Sequence, residues 1–234
     1  MLTRRQALAL GAAATFGMGG DARAQAKTEI SLSRQPGILY MPTHVIEKQK
    51  LIEKHAEKLG VAGVTTKWMN FSNGGAQQAA LLSGSVDIIN TGTGPLLVLW
   101  DKSRGRVKGI VASSAQPLVL LSRDPRIKML KDYQPGDKIA VPTIRVSTQA
   151  ILLQIAASKL FGPEQWSHFD AMTVQLGHPD AFIAMKNPTH EVKSHFAAPP
   201  FQFYEQQQVP EAHVVTTSAD IIGSPLSQGQ FMTT

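Results

Sequence analysis

The chain has no cysteine in its 234 residues, which excludes disulfide staples, thiolate metal sites and thiol chemistry. A lipid anchor on an exported bacterial protein is attached to a cysteine, so the expectation is a protein without one. Aromatic residues make up 6% and charged residues 17% of the chain, against 43% hydrophobic residues. With so much apolar material and no long polar tract, the composition is that of a folded protein with a substantial core. Positive charge is present but not concentrated. The formal net charge is +6, of which Arg4, Arg5 and Arg23 against Asp21 supply +2, leaving +4 for residues 27–234. Lys48, Lys50, Lys54 and Lys58 alternate with Glu47, Glu53 and Glu57, a solvated helix face and not a nucleic-acid stripe. No nucleic-acid partner is expected.

The seven histidines show no metal-ligand spacing. The closest pair, His190 and His195, flanks the start of an expected strand. Asp87 falls within a strand, and no nucleophile–base pair emerges from the sequence. No cofactor, no metal and no enzymatic activity are therefore expected.

The first 26 residues carry an address. Arg4-Arg5 precedes a mild Ala/Gly-rich apolar run over residues 9–20, and Ala22-Arg23-Ala24 and Ala24-Gln25-Ala26 offer small residues at cleavage spacing. The paired arginines resemble a twin-arginine export signal, with Ala7 where a bulky apolar residue is usual. The run is too short and weak to stay as a membrane span. An exported protein in a periplasm is expected.

Beyond the leader, short β-rich runs alternate with helical ones. Strands are expected near residues 28–34, 64–69, 86–90, 107–113 and 118–122. Helices are expected over residues 44–59, 76–82 and 95–100. After the turn-rich residues 124–137 the rhythm restarts. Strands are expected at 138–141, 172–176, 192–196 and 213–217. Helices are expected at 147–160 and 181–185, with another opening after Pro199-Pro200. This alternation predicts an α/β fold of two lobes, each a mainly parallel sheet flanked by helices.

In such sheets the ligand crevice lies beyond the carboxyl ends of the strands, where helices begin with unpaired N–H groups and a partial positive charge. Five strand-to-helix loops carry fitting residues. They hold Gln35 and Gly37; Asn73, Gly74 and Gly75; Thr91 and Thr93; Arg145, Ser147, Thr148 and Gln149; and His178. Taken singly, the same residues serve equally as caps, tight turns or surface charge. Their repetition in both halves is what points to a ligand. Arg34, Arg145 and the helix starts suit an anion.

Several stretches carry a family resemblance. They are Gly37-Ile38-Leu39-Tyr40-Met41-Pro42, Gly74-Gly75-Ala76, Leu82-Ser83-Gly84-Ser85-Val86-Asp87-Ile88 and Gly92-Thr93-Gly94-Pro95. Leu130-Lys131-Asp132-Tyr133 and Gly136-Asp137-Lys138-Ile139 follow. Together they resemble the solute-binding proteins of nitrate, sulfonate and taurine ABC importers. The resemblance implies a type II-like periplasmic-binding-protein fold, with residues 27–115 and 222–234 in one lobe and 116–221 in the other. Hinges would lie near residues 113–122 and 217–227. It also implies a small anionic solute held between the lobes, a membrane permease as partner, and a monomer. By matching position, Gln35 to Tyr40, Asn73 to Ala76, Thr91 to Thr93 and Val141 to Thr148, Tyr40 and Thr143 among them, would line the cleft. An alternative of the same fold is a thiamine-pyrimidine-related binding protein or enzyme. The family continues well past the segment matching Gln230-Phe231-Met232, which leads to the expectation of uncovered apolar surface on the first lobe.

Overall fold

The computed structural model describes residues 28–234; the leader expected over residues 1–26 lies outside them. Ten strands form two five-stranded sheets. β1 (Glu29–Arg34), β2 (Thr65–Asn70), β3 (Ile88–Thr91), β4 (Lys108–Ser114) and β10 (Gly229–Thr233) make the first, in the order β2-β1-β3-β10-β4. β5 (Val119–Ser122), β6 (Ile139–Val141), β7 (Thr173–Gln175), β8 (Ser194–Ala197) and β9 (His213–Thr217) make the second, in the order β7-β6-β8-β5-β9.

In each sheet four strands share one direction and a single strand opposes them, β10 in the first and β5 in the second. Both opposing strands occupy the same slot, and both enter directly from the other lobe. The shared strands end at the edge where the lobes meet. A strand arriving across that edge must run away from it, so the crossover itself dictates the antiparallel pairing.

Eight α-helices flank the sheets: α1 (Met41–Lys48), α2 (Leu51–Lys58), α3 (Gly74–Leu82), α4 (Thr93–Lys102), α5 (Thr148–Phe161), α6 (His178–Lys186), α7 (Phe201–Gln208) and α8 (Ser218–Ile222). Where one helix over residues 44–59 is expected, the chain breaks in two, because Lys50 takes a left-handed conformation (φ 50°) between α1 and α2. Around the break, Ile46, Leu51, Ile52, Ala56 and Leu59 line a shallow open groove. Leu59 is 81% exposed. Neither α8 nor β10 is apparent from sequence: one is a single capped turn, the other a five-residue strand without alternation.

Each lobe has its own core. In the first, Leu81, Val86, Ile89, Leu99, Val107 and Met232 pack together. In the second, Leu120, Ile139, Val141, Leu152, Leu153, Phe169 and Phe196 form a larger cluster. Fully burying one such side chain contributes about 1.5–3 kcal/mol. Leu39 and Tyr40, on a 3-10 turn of the first lobe, belong to the second lobe's cluster, and Ile38 N–H donates to the Pro199 carbonyl at 3.3 Å. On the first lobe Leu97, Trp100, Ile110 and Val111 are exposed. Among the described residues no helix is long and apolar enough to cross a membrane.

Asp124 organises the turn after β5. Its buried carboxylate accepts from Arg126 Nε (3.1 Å) and Nη2 (2.8 Å), from the Arg126 backbone N–H (3.0 Å) and from Lys193 Nζ (3.3 Å). Hydrogen bonds from Arg126 draw its pKa down to about 2, against burial, which acts the other way. A carboxylate with a depressed folded-state pKa stabilises above its unfolded value, near 3.9, and loses that stabilisation as pH falls toward the folded value. Chemical denaturation between about pH 4 and pH 2 should therefore show stability falling with acid, and Asp124→Asn should flatten that stretch of the curve.

Candidate functional site

The carboxyl ends of the shared strands deliver four helix starts to the edge where the lobes meet. β2 leads to α3, β3 to α4, β6 to α5 and β7 to α6. Asn73 caps α3, its Oδ1 accepting from Ala76 N–H at 3.0 Å, and Ser147 caps α5, its Oγ accepting from Ala150 N–H at 3.2 Å. These caps hold the first turns so that their remaining N–H groups face the opposite lobe.

The lobes meet through those first turns. Gly75 N–H donates to Thr143 Oγ1 at 3.2 Å and Gly94 N–H to Thr148 Oγ1 at 3.3 Å. The contacts exist because the glycines carry no side chain. A Cβ on Gly92 would lie 2.1 Å from Thr148 Oγ1, and one on Gly94 would lie 2.9 Å from Thr148 Cα. Between the lobes remains a cavity of about 30 Å³, room for a water or two. A space of that size does not hold a solute with a carbon tail.

The cavity is lined by Gln35, Tyr40, Gly74, Thr91, Thr143, Ser147, Thr148 and His178, all of which the sequence singles out. Their environments differ. Gln35 Nε2 donates to Gln77 Oε1 at 2.7 Å and reaches Thr91 Oγ1 at 3.4 Å, so it braces the first-lobe wall. Gly37, Asn73, Gly75, Thr93 and Arg145 are not in the lining. Gly37 (φ 132°) sits against Pro199. Asn73 and Gly75 are occupied as cap and interlobe donor. Thr93 ties α4 to the returning chain, donating to the Ser227 carbonyl and accepting from Gln230 Nε2 at 2.7 Å.

Arg145 departs most from expectation. It has a left-handed backbone (φ 62°), its side chain is 75% exposed, and its Nε lies 3.9 Å from Asp170 Oδ2. It lines an outer depression with Trp166 and Asp170, not the cavity. Arg34 is also engaged elsewhere, bonded to Glu47 and Asn70 and lying over the Trp68 ring.

Three glutamines complete the lining. Gln149 stands in a loop the sequence marks, but Gln78 and Gln228 have no sequence signal: one lies inside α3, the other in the irregular stretch before β10. Both are buried, and the Nε2 of each has no hydrogen-bond partner. Leu39, Tyr40, Leu118 and Pro95 add apolar wall.

Two sheets joined by paired crossovers, with a polar cavity at the shared edge, match solved structures of one kind. The alkanesulfonate-binding protein SsuA of Xanthomonas axonopodis pv. citri, bound to MOPS, aligns with a TM-score of 0.66 and 16% identity over 88% of this chain and 65% of its own. The fold is that of the periplasmic binding proteins. The aliphatic sulphonate binding protein SsuA of Escherichia coli aligns with a TM-score of 0.60 and 18% identity, over 88% of this chain and 64% of its own. A Candida albicans protein described as having the generic periplasmic binding protein fold gives 0.59 and 12%, over 88% and 63%. The chain thus spans slightly under two thirds of these neighbours' lengths. At such identities the likeness establishes the fold. No family model matches the sequence, and no curated protein does.

Overpacking a close contact costs about 1–3 kcal/mol, and here parting the lobes relieves it. Gly94→Ala should leave the circular dichroism spectrum unchanged, enlarge the radius of gyration in small-angle scattering, and weaken capture of any interlobe solute about tenfold. An unchanged radius would show that the contact does not hold the lobes together.

Proposed function

We propose that this chain is the substrate-binding component of an ABC importer. It is exported to the periplasm, captures a small oxygen-rich anion such as a sulfonate, nitrate, taurine or a carboxylate between its lobes, and delivers it to a membrane permease. One observation carries the choice of ligand: the partnerless buried Nε2 donors of Gln78 and Gln228 at the cavity. Leaving a buried donor unsatisfied costs about 1–3 kcal/mol. The strain is relieved by a ligand rich in acceptors.

Around these donors stand the first turns of α3, α4, α5 and α6, whose partial positive charge favours an anion without a cationic side chain. That matters because, among the described residues, no Lys or Arg lines the cavity. Gly75 and Gly94 N–H, now held by Thr143 and Thr148, become free donors when the lobes separate. Ligand contacts made from both lobes at once favour the closed form, which is the physical basis of capture and hand-over.

A thermal-shift screen against sulfonates, nitrate, aromatic carboxylates and pyrimidines tests this reading. An oxyanion should raise the unfolding temperature and be recovered chemically unaltered. Turnover in the same samples would favour the thiamine-pyrimidine-related enzyme instead. Gln78→Leu and Gln228→Leu should each weaken the best oxyanion about tenfold, while the free protein unfolds at the same temperature or higher because a buried orphan donor is gone. Arg145→Asn, which tolerates the left-handed backbone, should leave affinity unchanged.

A further inference from the structure

Behind the cavity wall, His178 continues into two fully buried titratable groups, His195 and Glu205. His178 Nδ1 is 2.8 Å from His195 Nε2, and His195 Nδ1 is 2.5 Å from Glu205 Oε1. His195 and Glu205 have no exposed surface. Glu205 Oε2 is buried without a partner. At the other end, His178 Nε2 is 3.3 Å from Gln149 Nε2, and both residues line the interlobe cavity. The His178 ring is stacked on Phe201, with centroids 5.8 Å apart and planes 20° apart.

The hydrogen bonds admit two arrangements. An amide nitrogen only donates, so in the geometry seen Gln149 donates to His178 Nε2. His178 Nδ1–H then donates to His195 Nε2, and His195 Nδ1–H to Glu205. All donors point toward the carboxylate, the trio carries one negative charge, and the Gln149 carbonyl oxygen is left to face the cavity. Adding one solvent proton at His178 Nε2 passes the Nδ1 proton to His195 Nε2. The new charge rests on His195 beside Glu205, and His178 Nε2–H donates to Gln149 Oε1 once that amide has turned. The turned amide then shows the cavity its NH2, so the change at His178 reaches the cavity through Gln149.

We infer that Glu205, His195 and His178 form a proton relay that decides whether the cavity presents an acceptor or a donor, so that an oxyanion is captured with one proton whenever the relay starts deprotonated. The inference rests on the solute-binding reading above. Glu205 and His195 are positioning residues acting through His178.

Two features favour moving the charge inward. His178 is the first residue of α6, where the helix dipole opposes a cation. Burial, and then repulsion from His195, hold the His178 imidazolium well below the usual histidine range. An uncompensated buried carboxylate is likewise unfavourable, and His195 lies against Glu205 where it can carry the opposite charge. The other titratable or charged groups nearby are Tyr204 on α7 and the exposed Asp180 on α6. β5, β6 and α5 bring Leu121, Ala140 and Gln149.

The test uses the mature protein and ethanesulfonate, a probe that does not itself titrate. Calorimetry in two buffers of different ionisation enthalpy, from about pH 5.5 to about pH 9, reads affinity and proton uptake together. Below the relay's transition the affinity should be flat. Above it the affinity should fall tenfold per pH unit, with uptake approaching one proton per anion. Glu205→Gln should abolish both slope and uptake. Imidazole nitrogen-15 spectra of the free wild-type protein, which need no variant, should show His178 and His195 changing tautomer in one shared transition. Binding that is independent of pH with no proton uptake overturns the relay and leaves the solute reading standing. No binding at any pH overturns the anion-capture step. The nitrogen spectra then decide the relay alone, and two rings with fixed, uncoupled tautomers would overturn it.

Discussion

The molecule turns on how closely two helix starts approach the opposite lobe. Gly94 and Gly92 lie against Thr148, and Gly75 lies against Thr143, at separations that no side chain could share. That proximity brings the first turns of four helices to one small cavity. It also fixes the sheet architecture, since strands that end at a common edge oblige each crossing strand to run backwards. The threonines hold N–H donors that would otherwise be orphaned, so the closed arrangement satisfies itself with the very groups that a solute would use. Binding then becomes an exchange of partners, in which a ligand must offer better acceptors than two hydroxyls.

The cavity's chemistry is that of amides and hydroxyls. The cationic side chains that would be the obvious anion partners are held away from it, Arg34 by Glu47 and Asn70 and Arg145 beside Asp170 on the outside. Positive potential comes instead from helix starts, whose strength does not vary with pH. His178, at the cavity wall, carries an imidazole whose hydrogen-bonding character can change with pH, and it is linked through His195 to a buried carboxylate. On the proposed reading, a site built this way has fixed donors to orient an oxyanion and an adjustable contact beside them.

Much of this was legible in the sequence, and the reasons differ by element. The alternation of strands and helices, with Gly or Pro at the boundaries, placed nine of the ten strands near their observed positions, because each is a run that a sheet core demands. β10 was not legible, since Gly229–Thr233 has no alternation and exists as a strand only between β3 and β4. Loop chemistry and the family resemblance together found nine lining residues, because a helix start after a strand must point to the common edge. Gln78 and Gln228 were missed for the converse reason: their role depends on what packs around them, and nothing in their neighbours' identities records it. Arg145 is the opposite case, a marked residue that stands outside the cavity lining. Its residue type and loop were right for an anion, yet its left-handed backbone sits on the outer side of the loop.

Because the chain contains no cysteine, two introduced ones can be labelled without interference, and the distance between the lobes can be read directly. Ser83 on the first lobe and Lys186 on the second are both exposed. Spin labels at Ser83→Cys and Lys186→Cys should give a broad distribution of distances in the free protein, extending to values longer than the closed structure allows. Saturation with a bound oxyanion should collapse it to a single short distance. A distribution that is narrow from the outset and unmoved by saturating ligand would contradict a solute held between two closing lobes.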